Sequence, residues 1–242
     1  PMAAIRGVPM IGHCYFRTAL AKTVDETWVA TCDRKIYDYI RSAGGKAVMT
    51  KGTHERCCDR CGEAMLKIEA ETGKRIDIVA VVQGDEPLVR PEMIDAAVML
   101  LLEDPSCGVA CLMSEIESEA ELEDMNCVKV VADLKGRALY FSREPIPTRR
   151  KGAGSDFPRY RQVPIIPFRR DYLLRFNELA PTPLEAAESV DLMRAVEHGD
   201  PVKLALTKRR TVSVDTPADR ARAEAAMKDD PLMPRYAAAA AK

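Results

Sequence analysis

The chain has 242 residues, 47% hydrophobic and 30% charged, enough for one large domain with a sizeable core or at most two small ones. Its 36 basic and 37 acidic side chains leave a formal net charge of -1, which excludes a general pull toward nucleic acid or an anionic membrane. No apolar run approaches membrane-spanning length and no secretory signal pattern is present, so any anionic ligand has to be held by a local site.

In chain order, residues 28–31 read as a strand, and Ile36, Tyr39, Ile40 and Ala43 follow with helical spacing, closed by Gly44-Gly45. Residues 47–49 read as a short strand and 58–70 as a helix. Residues 76–82 form an almost unbroken apolar run, as expected of a strand covered on both faces. Pro91 opens a helix through Leu102. Residues 109–113, 128–132 and 138–142 read as strands, with Gly136 marking a hairpin between the last two. Residues 149–161, rich in Arg, Lys, Gly, Ser and Pro, predict a mobile loop. Residues 163–168 are strand-like despite two prolines, which favour an edge or irregular strand. Helices are predicted at 170–178 and 185–197, strands at 202–206 and 211–214, and a last helix starting at Thr216-Pro217. The alanine-rich tail 236–242 reads as frayed or weakly helical.

This alternation predicts a three-layer α/β/α fold with a mixed, mostly parallel central sheet, and the whole of 1–242 as one domain. The eight cysteines do not suggest a stapled secreted fold; Cys32, Cys107, Cys111 and Cys127 sit in or beside apolar runs, as small hydrophobes do. The Cys57-Cys58-x-x-Cys61 cluster lacks the second ligand pair that a closed zinc site needs.

In sheets of this class ligands bind beyond the carboxyl ends of the strands. Asp85 follows the apolar run 76–82 across the turn Gln83-Gly84, and Asp215 directly follows Val212-Ser213-Val214. If both strands are central, the two carboxylates converge, a ligand set suited to Mg²⁺ with substrate phosphates. Gly84 would let the backbone approach a ligand closely. From spacing alone two other readings stand: Asp85 as a turn residue before a proline, and Asp215 as a helix-start residue beside Thr216.

Gln83-Gly84-Asp85-Glu86-Pro87, Asn126 to Val131, Ala138 to Arg143, Thr182-Pro183-Leu184-Glu185 with Glu188, and Val214-Asp215-Thr216-Pro217 lie in one order along nearly the whole chain. Together they resemble the CMP-Kdo synthetases (3-deoxy-manno-octulosonate cytidylyltransferases) and their CMP-sialic-acid synthetase relatives. The resemblance implies a Rossmann-like nucleotide-diphospho-sugar transferase fold. It also implies transfer of CMP from CTP to an acidic 3-deoxy-ulosonic sugar, with release of pyrophosphate. By that resemblance Asp85 and Asp215 hold Mg²⁺ and are the catalytic pair. Gln83, Arg60, Arg143, Gln162, Glu185 and Glu188 would contact the sugar. His54, Asp59, Arg60 and Gly84 would contact the nucleotide. Arg143 suits a carboxylate because arginine pairs with it bidentately; an ion pair with Glu144 is the plainer reading.

The chain departs from the family's pattern in three places. It begins at Pro1 without a methionine, so the basic, glycine-containing phosphate loop that the family carries is expected to be missing, and CTP binding by these 242 residues to be poor. The family's HxSGTDR segment becomes His54-Glu55-Arg56-Cys57-Cys58-Asp59-Arg60, which bears on cytosine selectivity. Its HxGIYGY strand becomes Gln162 to Phe168, which predicts altered sugar recognition and a ulosonic acid other than Kdo itself. Two alternatives stay open: a nucleotidyltransferase with another base or a sugar-1-phosphate, and a non-catalytic sugar- or nucleotide-binding relative. The implied partners are CTP, an acidic sugar and a second copy of the chain, with no nucleic acid or membrane. The implied location is the cytoplasm.

Overall fold

The computed structural model describes residues 1–148 and 157–240. In chain order the elements are β1 (Ala4–Ile5), β2 (Val8–Pro9), α1 (Met10–Thr18), β3 (Val29–Thr31), α2 (Arg34–Ser42), β4 (Ala47–Met49), α3 (Cys57–Thr72), β5 (Ile78–Val82), α4 (Pro91–Glu103), β6 (Val109–Glu115) and α5 (Glu119–Glu123). They continue with β7 (Lys129–Ala132), β8 (Ala138–Ser142), β9 (Tyr160–Val163), β10 (Ile165–Arg169), α6 (Arg170–Glu178), α7 (Pro183–Glu188), α8 (Leu192–Glu197), β11 (Val202–Leu206), α9 (Pro217–Ala226) and α10 (Ala237–Ala240). The chain forms two compact units, Pro1–Asp95 with Thr211–Lys242, and Ala96–Arg210.

In the first unit β1 and β2 make an antiparallel pair, and β3 runs parallel to β4. The amphipathic α2, capped by the Asp33 side chain on the Lys35 N–H, lays Ile36 and Ile40 on Val29 and Ala47. Helix α3 covers β4 through Ala64 and Ile68 on Val48, and ends at Gly73 in the left-handed conformation. The segment before α9 joins a core of Ile5, Met10, Val214, Ala223 and Met227. Helix α1 was not foreseen. Its inward face carries Gly12, His13 and Arg17, which break the apolar pattern that would announce a buried helix.

The C-terminal segment, read as frayed or weakly helical, includes the short helix α10 and is anchored. Tyr236 is buried, and its hydroxyl lies 2.8 Å from His13 Nδ1 and accepts from Arg17 Nε at 3.0 Å. His13 Nε2 donates to the Ile5 carbonyl at 2.9 Å, which fixes the neutral tautomer and leaves Nδ1 to accept from Tyr236. Arg17 also pairs with Asp230, and the Tyr39 hydroxyl donates to the Ala240 carbonyl.

In the second unit β6 is flanked by parallel β11 and by antiparallel β9 and β10, and β9 continues through β7 to β8. The β7–β8 hairpin turns at Gly136, whose φ of 70° favours glycine. The sheet is mixed as expected, but the described pairings are predominantly antiparallel rather than parallel. Four further expectations are corrected. Residues 149–156 of the anticipated loop lie outside the described residues, while Tyr160 and Arg161 belong to β9, and Pro164 divides what reads as one strand. The helix predicted over 185–197 is two helices, broken where Ser189 takes φ 52°. Residues 211–214 form no strand among the described residues; Val214 donates a single backbone bond to the Asp85 carbonyl, at 2.9 Å.

Candidate active site

The first unit holds the acidic pair. The backbone after β5 folds into a turn in which the Glu86 N–H donates to the Gln83 carbonyl at 3.4 Å and the Val89 N–H to the Glu86 carbonyl at 3.1 Å. The buried Glu86 carboxylate accepts from the Ser213 hydroxyl, and with the bond from Val214 to Asp85 this ties the turn to the segment ending at Asp215. Asp85 and Asp215 are thus brought together by hydrogen bonds of their neighbours. Burial, and then the nearby charge of Asp215, push the Asp85 carboxyl above its ordinary range. Asp85 Oδ1 is buried with no hydrogen-bond partner among the described residues. A buried carboxylate oxygen without a donor, beside a second carboxylate, is the environment a hard divalent cation relieves, so the residues fit Mg²⁺.

Gly84 has a packing reason for its identity: a Cβ there would lie 3.1 Å from Ile11 Cδ1. Asp215 is exposed just before α9, whose cap is Thr216, in a reciprocal box with Asp219. The helix-start role therefore belongs to Thr216 and Asp219, which leaves the Asp215 side chain for other work. The Thr216 hydroxyl in particular holds Asp219 down to about 2.

The 50–56 segment is a loop braced by α3. Arg60 donates to Thr50 Oγ1 at 2.6 Å and to the carbonyls of Lys51 and His54 at 3.2 and 3.4 Å. His54 Nε2 bonds Glu63, whose carboxyl is lowered to about 2 by its bonds to Lys67 and His54. Arg60 thus shapes the loop that presents His54, and Glu63 is a supporting residue that the sequence reading missed. Asp59 is half-buried in the first turn of α3.

The second unit holds the other candidates. Arg143, at the end of β8, donates through Nε to the Glu188 carbonyl at 2.7 Å, through Nη1 to the Met125 carbonyl at 2.8 Å and through Nη2 to the Ser189 carbonyl at 3.1 Å. The Glu188 carboxylate accepts from the Arg143 N–H at 2.8 Å, the Ser142 hydroxyl at 2.9 Å and the Tyr140 hydroxyl at 3.0 Å. Burial works against its charge, but these donors outweigh it and keep Glu188 below its ordinary value. Arg143 and Glu188 therefore act first on each other, and the simple ion pair of Arg143 with Glu144 is not seen among the described contacts.

Glu185 needs correction as a sugar ligand. It is fully buried, with Oε1 and Oε2 taken by Arg194 Nη2 and Nε at 2.6 and 2.8 Å. Burial of this bidentate pair turns the carboxylate inward, where it also caps α7 through the Thr182 N–H. Gln162 sits on β9 with its amide 3.7 Å from Cys111 Sγ. Lys129, which the sequence reading passed over, is fully buried; the visible signal was a charge inside the apolar run Val128 to Val131.

A family model described as cytidylyltransferase matches residues 1–208. The chain belongs to the cytidylyltransferase family. It is 41% identical over 227 residues to the 3-deoxy-manno-octulosonate cytidylyltransferase of Geobacter metallireducens, covering 90% of this chain and 87% of that one. The enzyme of the same name from Geobacter sulfurreducens is 40% identical over 227 residues, covering 90% and 88%. Among solved structures, a CMP:2-keto-3-deoxy-manno-octonic acid synthetase complexed with CTP superimposes with a TM-score of 0.85 at 36% identity, covering 94% of this chain and 90% of that chain. This cytidylyltransferase therefore has the mixed α/β, Rossmann-like nucleotidyltransferase fold, and it is a nucleotidyltransferase.

Proposed function

We propose that this cytidylyltransferase transfers CMP from CTP to 3-deoxy-manno-octulosonate or a closely related ulosonic acid and releases pyrophosphate, with Mg²⁺ held by Asp85 and Asp215. The observation that carries the reading is the coupled pair Asp85 and Asp215 with its donor-less buried oxygen, in a chain about 40% identical to enzymes of that name. The anomeric hydroxyl of the sugar attacks the α-phosphorus of CTP, and the bond to the pyrophosphate leaving group breaks. When bound, the metal would neutralise phosphoryl charge and favour ionisation of the attacking hydroxyl.

The protein's own part is positioning and charge. Asp85 and Asp215 offer their carboxylate oxygens to the cation. Gln83 and Gly84 form the turn that presents Asp85. His54, fixed by Glu63 and by the Arg60 brace, faces the nucleotide with Asp59. Arg143 orients the sugar carboxylate, with Glu188 and Gln162 shaping that side. Because the reaction consumes CTP, we place it in the cytoplasm; no helix among the described residues is long and apolar enough to cross a membrane. The working form is a homodimer that covers the exposed Leu134 and Leu139 of the β7–β8 hairpin. Light scattering reads this directly, and a monomer at assay concentration refutes it.

The deciding experiment follows pyrophosphate release from CTP with 3-deoxy-manno-octulosonate, with and without Mg²⁺, in the unmodified protein and in Asp215→Asn. Release that needs sugar, metal and Asp215 together is expected. Release with a sugar-1-phosphate but not with any ulosonic acid would overturn the proposal.

A further inference from the structure

Lys129 is a charged side chain inside the second unit with no solvent exposure. Its ammonium donates to the carbonyl of Asp124 at 2.7 Å and to the carbonyl of Arg143 at 2.6 Å, and among the described residues it makes no ion pair with a carboxylate. Burying an ammonium is costly, and carbonyl dipoles offset the loss of hydration only in part. A neutral donor would serve a purely structural bridge at less cost. The placement of the charge is informative: Lys129 holds the backbone oxygen of Arg143 itself, and the Asp124 carbonyl one residue before the Met125 carbonyl that Arg143 Nη1 grips.

Lys129 therefore fixes both the residue that carries the guanidinium and the loop on which that guanidinium rests. Arg143 spends one N–H at each of its three nitrogens on carbonyls. A guanidinium has five N–H groups, so one remains at Nη1 and one at Nη2. Those two hydrogens suit a carboxylate. The Arg143 cation already has Glu188 close by, whereas Lys129 adds a second positive charge under the same strand end that, among the described residues, is held by carbonyls and by no ion pair.

We infer that Lys129 is a positioning residue for the acidic group of the sugar: it aims Arg143 and supplies the buried positive charge that a carboxylate-bearing substrate balances. This rests on the reading of the reaction given above.

The test compares kcat/KM for the sugar acid and for its 1-carboxamide in the unmodified enzyme, in Lys129→Met and in Lys129→Gln. The glutamine variant keeps donors but not charge. Both variants are expected to raise KM for the sugar acid about 10- to 100-fold, the loss of one charge-assisted contact. KM for CTP should stay within about twofold, and the acid-to-amide preference should shrink by the same factor as the sugar KM rises. A role confined to packing would lower stability or affect both sugars alike, and an unchanged acid-to-amide ratio overturns the inference. A second arm needs no variant: the ¹⁵Nζ resonance of Lys129 in the unmodified protein should shift on addition of the sugar acid alone and not of the carboxamide. No shift with the acid overturns the assignment. A shift without any pyrophosphate release in the presence of CTP and Mg²⁺ would refute the catalytic reading while leaving Lys129 as a carboxylate-sensing residue.

Discussion

Replacing Glu185 with alanine distinguishes a sugar ligand from a structural acid. The substitution removes both Glu185 oxygens from Arg194, which is 5% exposed and also donates to the carbonyls of Phe176 and Leu179 at 3.2 and 3.3 Å. Removing one partner of a buried pair costs about 3–5 kcal/mol, because the remaining charge is left uncompensated. The Thr182 N–H loses its acceptor as well. In a chain of this length each kcal/mol moves Tm by about 2–4 °C, so the expected fall is about 6–20 °C by calorimetry. The double variant Glu185→Leu with Arg194→Met should recover much of that loss, since an apolar pair of similar volume often does as well as a buried ion pair. Well below the transition, KM for the sugar acid should stay within about twofold of the unmodified enzyme. A small change in Tm accompanied by a KM raised about tenfold or more would refute this reasoning and return Glu185 to the sugar site.

Asp85→Asn should stabilise the metal-free protein. Burial raises the folded carboxyl above its ordinary value, so its contribution to stability is present below that ordinary value and lost as pH rises through the raised one. At neutral pH the ionised group is then a cost, and the amide should raise Tm. The same variant should abolish any Mg²⁺-induced rise in Tm, and an undiminished rise would remove Asp85 from the metal site. His13 gives a pH dependence of the other sign. Burial first, and then the Arg17 charge, depress it, so its stabilisation is complete above the ordinary histidine value and lost as pH falls toward the folded one. Urea midpoints should decline from about pH 7 to 5 and flatten in His13→Gln, whereas an equal decline in both would clear His13 of the effect.

The elements that were legible in the sequence are those whose local pattern and packing agree. The run 78–82, the hairpin at Gly136, and α2 with Ile36 and Ile40 inward all follow from apolar spacing and punctuation. Asp85 and Asp215 stood out less by their places after apolar runs than by the order of the segments around them, and no strand precedes Asp215 among the described residues. Where reading failed, a long-range polar partner had decided the outcome. Helix α1 buries His13 and Arg17 because Tyr236 and Asp230, more than two hundred residues away, satisfy them. The tail is ordered for the same reason. The break at Ser189 depends on a left-handed residue with no glycine to signal it.

The sugar-side motif shows why residue identity alone misassigns roles. Glu185 and Glu188 sit one turn apart on α7, as spacing suggested, yet their carboxylates answer different demands. Glu185 neutralises Arg194 in the interior, while Glu188 collects the hydroxyls and the N–H at the end of β8. Both acids are spent on holding the frame. Charge attraction for an acidic sugar then has to come from the cations of the same network, and Arg143 has an N–H left at each Nη. Lys129 enters the argument on that account. A network that fixes its acids by hydrogen bonds and, among the described residues, holds one buried ammonium by carbonyls alone favours a carboxylate over a neutral sugar.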